Sequence, residues 1–462
     1  MQAAASSVSV PLAIAVTDRA GNILAIYDEP GAPATSTGNF GTIVDSNDLA
    51  VGLARTAAFF SNNQAPLSSR TVRFISGIHF PPGIANTASA ALYGIENTNR
   101  GCGFNTTFLP GQAVPPALTI NGTSPGLGII TGKKDVNDSD PTSVNPGGVP
   151  LFKAGEAVGG IGVVAASLDV AEYAAVTGAS GAGFLPSFSS LPPPGQVLID
   201  GIALPFVIQT TLPAGISSGA ANGNYVSGPV SSPGPVPEGD LIAQRAGVVG
   251  GLTASDVQSI VANAVNTANM TRAVIRLPTG QRTRMVIAVA DLDGSLLALY
   301  RMADSTVFSI DVAVAKARNM VYFNSLSANP SDLPGVPVGT AVTDRTIGFG
   351  AQPLFPSGIN GTPPGPFFPL YVNDVMNPCT QGAQPANPNQ SGIVFFPGSE
   401  GLYKNGTLVG GLGVSGDGVD QDDYVTAGGA AGFEPPESVR ADQIVIDGVR
   451  LPYQKFPRNP TQ

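Results

Sequence analysis

Two stretches decide the fold: IAVTDRAGNILAIY, residues 14–27, and IAVADLDGSLLALY, residues 287–300. In the second, apolar side chains alternate over 284–290 and 295–301 around Asp291-Leu292-Asp293-Gly294. Alternation with period two predicts strands, and the glycine supplies the positive φ that a tight hairpin needs. Asp18 and Asp291 fall in the two turns and are expected to form them.

Working outward, four more blocks repeat in the same order. DLAVGLARTAAFF (48–60) answers DVAVAKARNMVYF (311–323), and RTVRFISGIHFPPGI (70–84) answers RTIGFGAQPLFPSGI (345–359). LFKAGEAVGGIGV (151–163) answers LYKNGTLVGGLGV (402–414), and IDGIALPF (199–206) answers IDGVRLPY (446–453). Five collinear blocks make the chain one unit written twice. The copies are residues 1–208, with a long insert at 85–149, and residues 251–462, with an insert at 360–391. Between them, 209–250 is rich in Gly, Ser and Pro without apolar periodicity and reads as a linker.

Within copy two, LTASDVQSIVANAVNTAN (252–269) places Val257, Ile260, Val261, Ala264, Val265 and Ala268 on one helical stripe, with Thr253 as N-cap. Residues 307–323 read as a helix, 392–397 and 407–414 as strands with a turn at Lys404-Asn405-Gly406, and 419–431 as a helix of small residues. Copy one has only about ten residues before its first strand, so it lacks the opening helix or borrows one. Antiparallel hairpins with helices between them define an α+β sandwich of about five strands per copy.

Composition narrows the function classes. The 462 residues include 58 glycines and 42 prolines, only 12% are charged, and the net charge is −10. No basic run exists to neutralise phosphates or anionic lipid, so nucleic acid and membrane surfaces are poor partners. No window is long and apolar enough for a membrane span. Sequons stand at Asn105, Asn121, Asn137, Asn269, Asn360, Asn389 and Asn405, many of them expected by chance in a chain this rich in Asn, Ser and Thr; low lysine, abundant Gly, Pro, Asn and Thr and an acidic balance fit a secreted, periplasmic or surface protein, although no signal peptide is visible at the start.

Together, LTASDVQSIVANAV, VIAVADLDGSLLALYR, SIDVAVAKARNMVYF and VGGLGVSGDGVDQDDYVTAGGAAGF (409–433) resemble the haem-degrading, GlcG-like and HbpS-like domain family, which has a profilin- or PAS-like α/β sandwich. The resemblance covers nearly all of copy two and, more weakly, residues 11–206. It implies haem or a related tetrapyrrole as a non-covalent ligand and a tendency to form symmetric oligomers. Copy two keeps the family pattern: Asp311, Lys316 and Arg318 in a helix, Gly410, Gly411 and Gly413 in a strand, then Gly416, Asp417, Gln421 and Asp422. In copy one Lys316 is answered by Leu53, Gly416-Asp417 by Ala165-Ala166, and Gln421-Asp422 by Val170-Ala171, while Asp48 and Arg55 remain. On this reading the second copy carries the site and the first is the scaffold half of an intrachain pseudo-dimer. The competing class is a structural or surface-assembly protein that has kept the fold without a ligand. A haem-degrading enzyme needs a liganded iron open to oxygen, and no residue points to that role.

Each candidate has a chemical and a structural reading. His79, the single histidine, offers an imidazole nitrogen for haem iron or a structural loop residue. Lys316 and Arg318 suit haem propionates, or the solvated face of an amphipathic helix. Asp417, Asp420, Asp422 and Asp423 either cap the following helix or bind a hard cation. The Gly410-Gly411-Leu412-Gly413 run fits close backbone approach to a helix or ligand, because no βαβ context accompanies it. Cys102 and Cys379 hold nearly equivalent positions in the two inserts. They are bonded to each other if a pseudo-twofold axis passes near the inserts, and are thiols otherwise.

Overall fold

The computed structural model describes residues 1–102, 120, 126–185, 197–226 and 235–462. Asn105, Asn121 and parts of the 85–149 and 209–250 segments lie outside the described residues. The chain divides into two units: the first holds 1–75, 99–101 and the described part of 113–236, the second 76–98, Cys102 and 237–462.

The first unit runs α1 (Gln2–Ser6), β1 (Ala13–Asp18), β2 (Ile23–Asp28), β3 (Thr35–Thr37), β4 (Ile43–Asp45), α2 (Ser46–Phe60), α3 (Ser69–Phe74), β5 (Gly148–Lys153), β6 (Glu156–Val164), α4 (Leu168–Gly181), β7 (Leu198–Ile199), β8 (Ile202–Ala203) and β9 (Asn224–Val226). The second runs β10 (Gly239–Ile242), α5 (Ala254–Met270), β11 (Val286–Ala290), β12 (Leu296–Arg301), α6 (Phe308–Phe323), α7 (Asp344–Gly350), α8 (Phe368–Met376), β13 (Ser399–Lys404), β14 (Thr407–Ser415), α9 (Val419–Gly429), β15 (Val445–Ile446) and β16 (Val449–Arg450). Each unit is α+β, built on a five-stranded antiparallel sheet, in the orders β5-β6-β1-β2-β9 and β10-β12-β11-β14-β13. Matched element for element, the two orders are the same.

The repeat holds down to register. Ile14 faces Tyr27 and Ile287 faces Tyr300 across the opening hairpins; Ala15 faces Gly162 and Ala288 faces Gly413 on the other side of the first strand. The glycines are there for packing. A Cβ on Gly411 would collide with the Ala317 carbonyl and one on Gly413 with that of Ala313, so α6 lies directly on β14. Gly160 against Ala54 and Gly162 against Ala50 repeat this for α2 on β6. Gly410 is closed in by the Ala290 carbonyl and Leu252. On the opposite face α5, held by a Thr253–Asp256 capping box, buries Val257, Ile260 and Val261 with Met285, Ile287 and Leu412. Copy one has its own opening helix, α1: Ala4 crowds Gly178 as Ala264 crowds Gly429 at the equivalent place.

Three expectations are corrected. The 209–250 segment is not a bare linker: β9 pairs with β2, and β10 with β12, each completing a sheet. At three and four residues these strands are too short to show an apolar alternation, although Tyr225 packs edge-on against Tyr27 and Val226 packs against the core. Residues 392–397 form no strand although their apolar side chains are buried. Side chains satisfy their backbone instead, Asp374 accepting from the Ile393 amide at 3.0 Å and Asn319 from the Val394 amide at 2.9 Å, and the strand begins at Ser399. Finally, the end of the repeated block 70–84 and the start of the first insert, together 76–98, belong to the second unit.

Candidate functional site

α6 is buried along its whole length, and this places its two cations deep in the second unit. Arg318 and Lys316 leave the helix in different directions. Arg318 Nε donates to the Gly294 carbonyl at 3.0 Å, just as Arg55 Nε donates to Gly21 at 2.9 Å in the first unit. Arg318 therefore pins the hairpin turn; burial lowers its pKa to about 10, while Asp311 and Asp293 favour its charge. Lys316 Nζ donates to the Val414 carbonyl at 2.8 Å and to Asp422 Oδ2 at 3.1 Å, and sits 5.0 Å from the centre of the Phe396 ring. Both side chains are fully buried. The alternative reading of this pair as the solvated face of an amphipathic helix is corrected: the glycine-laid helix has no solvated face at these positions.

Around Lys316 the fold gathers acids. Asp423 accepts from Arg345 Nε at 2.5 Å, from the Gly398 amide at 2.9 Å and from the Lys455 amide at 3.0 Å; Arg345 also reaches Asp420 at 2.7 Å. Asp417 Oδ1 accepts from the Val274 amide at 2.6 Å and from Gly418 at 2.9 Å, while its Oδ2 is buried with no partner among the described residues. Gln421 is buried in the turn beside Gly418. Glu400 accepts from Tyr453 at 3.1 Å and Gln454 at 3.0 Å. Asp344 donates its amide to Ser399 Oγ at 2.9 Å, and neither carboxyl oxygen has a hydrogen-bond partner among the described residues.

Five buried carboxyls, Asp344, Glu400, Asp417, Asp422 and Asp423, thus stand near three cations: Lys316 and Arg276, both buried, and Arg345, which is largely covered. An uncompensated charge in such a place is expensive, so burial favours the protonated form of these acids. Burial pushes Asp422 to about 7 against the pull of Lys316, and Glu400 to about 7 against its bonds to Gln454 and Tyr453. Burial also raises Asp417 and Asp423, and lifts Asp344 well above the ordinary carboxyl value. These groups bind protons more tightly folded than unfolded, so from the ordinary carboxyl range up to about pH 7 stability falls as pH rises, then levels off. Asp291 titrates below this window: burial raises it, but the amides of Val249, Gly250, Leu292 and Val248 overcome that and hold it low. The second unit should therefore melt at a higher temperature near pH 5 than near pH 8, and an equal or lower melting temperature near pH 5 contradicts the assignment.

The first unit keeps one pair of this cluster. Arg70 binds Glu172 through two bonds of 2.6 and 2.9 Å, in the places of Arg345 and Asp423. Leu53, Ser69, Val149, Ala166 and Ala171 stand where the second unit has Lys316, Asp344, Glu400, Asp417 and Asp422. Sequence reasoning overlooked Asp344, Arg345 and Glu400. The signal was available for Arg345, since the repeat preserves both its charge and that of its partner.

His79 lies on a different element, a loop just before the first insert that belongs to the second unit. Its Nδ1 meets the Thr87 carbonyl at 2.7 Å, so this nitrogen donates its proton and Nε2 carries the lone pair. Equivalent residues of the two inserts meet in the same unit: Cys102 and Cys379 form a disulfide with Cα atoms 5.3 Å apart, and Asn97 donates to Asp374 at 2.8 Å. Tyr93 stacks on Tyr371 with ring centres 5.0 Å apart. The structure thus assembles Lys316, Asp417 and Gln421 around Asp422, sets Asp311 near Arg318, uses Gly410 and Gly411 for packing, and keeps His79 apart from them.

A two-layer α+β unit with a buried acid cluster beneath a glycine strand is the class these observations define. Residues 252–431 match the family model described as "Haem degrading protein HbpS-like", and this stretch is an HbpS-like domain. No curated protein matches the chain. Among solved structures, Klebsiella pneumoniae protein ORFY is similar at 19% identity, covering 39% of this chain and 88% of that one, with a TM-score of 0.25. A PduOC:heme complex is similar at 20% identity over 38% and 91% of the two chains, with a TM-score of 0.24. A Streptomyces reticuli HbpS double mutant is similar at 18% identity over 44% and 98%, also with a TM-score of 0.24.

Proposed function

We propose that the second unit binds haem without a covalent link and that His79 Nε2 is the iron ligand. The observation that carries the reading is the match of residues 252–431 to the HbpS-like family. The imidazole supports it: Nδ1–H held by a backbone carbonyl is the arrangement that fixes a metal-binding tautomer and orients the ring. The paired loops expose Ile84 and Ile359, apolar surface suited to a macrocycle. The buried ends of Lys316 and Arg318 do not fit propionates, so those carboxylates face solvent in this reading. The same proposal includes an intrachain pseudo-dimer, supported by the equivalent-position pairs Cys102–Cys379 and Asn97–Asp374, and export to an oxidising compartment, supported by the disulfide. Titrating purified protein with haemin should give a saturable Soret shift, and His79→Ala should weaken binding at least tenfold and change the band position. No saturable shift overturns haem binding and leaves the structural, surface-assembly reading; a spectrum unchanged in His79→Ala overturns the ligand.

A further inference from the structure

The first unit has a cavity where the second has its ion cluster. Its volume is about 420 Å³, within the range of roughly 300–1,000 Å³ usual for small-molecule sites. Its walls include Leu53, Ala166 and Ala171, the residues that replace Lys316, Asp417 and Asp422, and Asn145, which stands where the second unit has Phe396. The space follows from these exchanges. In the second unit Lys316 crosses from α6 to Asp422 and covers the Phe396 ring. In the first unit the lysine stem, two carboxyls and an aromatic ring are replaced by one branched aliphatic chain, two methyls and an amide, while the surrounding backbone keeps the same pairing: Val163 donates to Gly147 at 3.0 Å as Val414 does to Gly398 at 2.8 Å.

The lining also dictates what fits. No charged residue contributes to it, and Leu49, Leu53 and Ala171 are buried aliphatic groups, so a charged ligand would be desolvated without a partner. One polar group is unsatisfied. Asn145 is more than nine-tenths buried, its Nδ2 donates to the Thr37 carbonyl at 3.3 Å, and its Oδ1 accepts no hydrogen bond among the described residues. That oxygen lies against Gly132, which does not line the cavity, so what the lining offers a ligand is chiefly apolar contact.

We propose that this cavity is a binding site for a small uncharged, predominantly apolar molecule. It is independent of the haem reading, and its test uses the His79→Ala chain so that the two stand or fall separately. The probe is β-naphthol, a neutral aromatic alcohol, followed by its fluorescence. Saturable binding at one equivalent is expected. Ala166→Leu and Ala171→Leu, which fill the cavity from two different walls, should each weaken it at least tenfold while the protein stays folded by circular dichroism. Intermolecular NOEs from the naphthol ring to methyl-labelled Leu53 and Ala171 in the unfilled chain provide a readout that does not depend on the variants folding. Absence of saturable binding, unchanged affinity in both filled variants, or NOEs to other methyls only would overturn the proposal.

Discussion

Lys316→Leu should destabilise the second unit by about 3–5 kcal/mol, and adding Asp422→Ala should return most of that loss. Removing one partner of a buried pair leaves the other charge without compensation, and that penalty is about 3–5 kcal/mol. Here the orphaned Asp422 would sit among Asp417 and Asp423, and the remaining cations of the cluster, Arg276 and Arg345, act on those two carboxyls instead. The double variant installs the first unit's own pair, Leu53 and Ala171, which pack inside that unit's core. Because Asp422 takes up a proton near pH 7, the single variant should cost less near pH 5 than near pH 8. Urea unfolding of the two single variants and the double gives the coupling directly. Additive losses would mean that Lys316 and Asp422 do not compensate one another.

Cys102→Ser with Cys379→Ser should cost the second unit about 2–5 kcal/mol under non-reducing conditions. The disulfide closes a loop across a sequence separation of 277 residues, and the entropy of closing a loop grows with the logarithm of its length. The bond also ties the Tyr93–Tyr371 stack and the Asn97–Asp374 bond into one layer. A strong reductant should lower the midpoint of the parent protein toward that of the double variant without moving the variant itself. Equal midpoints in parent and variant would show that the noncovalent contacts of the two inserts suffice.

The fold was legible where side chains decide it. Ile14–Tyr27 and Ile287–Tyr300 announce hairpins by alternation, and the glycines opposite Ala15 and Ala288 mark where a helix lies on the sheet. Legibility ended where the backbone alone decides. The short strands β9 and β10 bond to a neighbour through amides and carbonyls, and Asn224–Val226 and Gly239–Ile242 are too short for side-chain contacts such as Tyr225 on Tyr27 to form a readable alternation. Residues 392–397 look like a strand because they are apolar, yet Asn319 and Asp374, distant in sequence, take the bonds a strand would use. Of the candidate site, Lys316, Asp417 and Gln421 were legible as a group because the repeat loses their character together. Their burial was not legible, since a lysine two positions before an arginine reads as a wet helix face until the glycine strand is seen lying under it. The cavity of the first unit was invisible for a related reason: Leu53 and Ala171 are ordinary core residues and Ala166 an exposed alanine, and only the absence of what their counterparts fill makes a space.

The most direct test of the account is the number of haemin molecules bound per chain. One histidine and one HbpS-like segment predict a Soret titration that breaks at one equivalent and loses that break in His79→Ala. An endpoint at two equivalents, or no endpoint at all, would contradict the assignment of haem to a single site in the second unit.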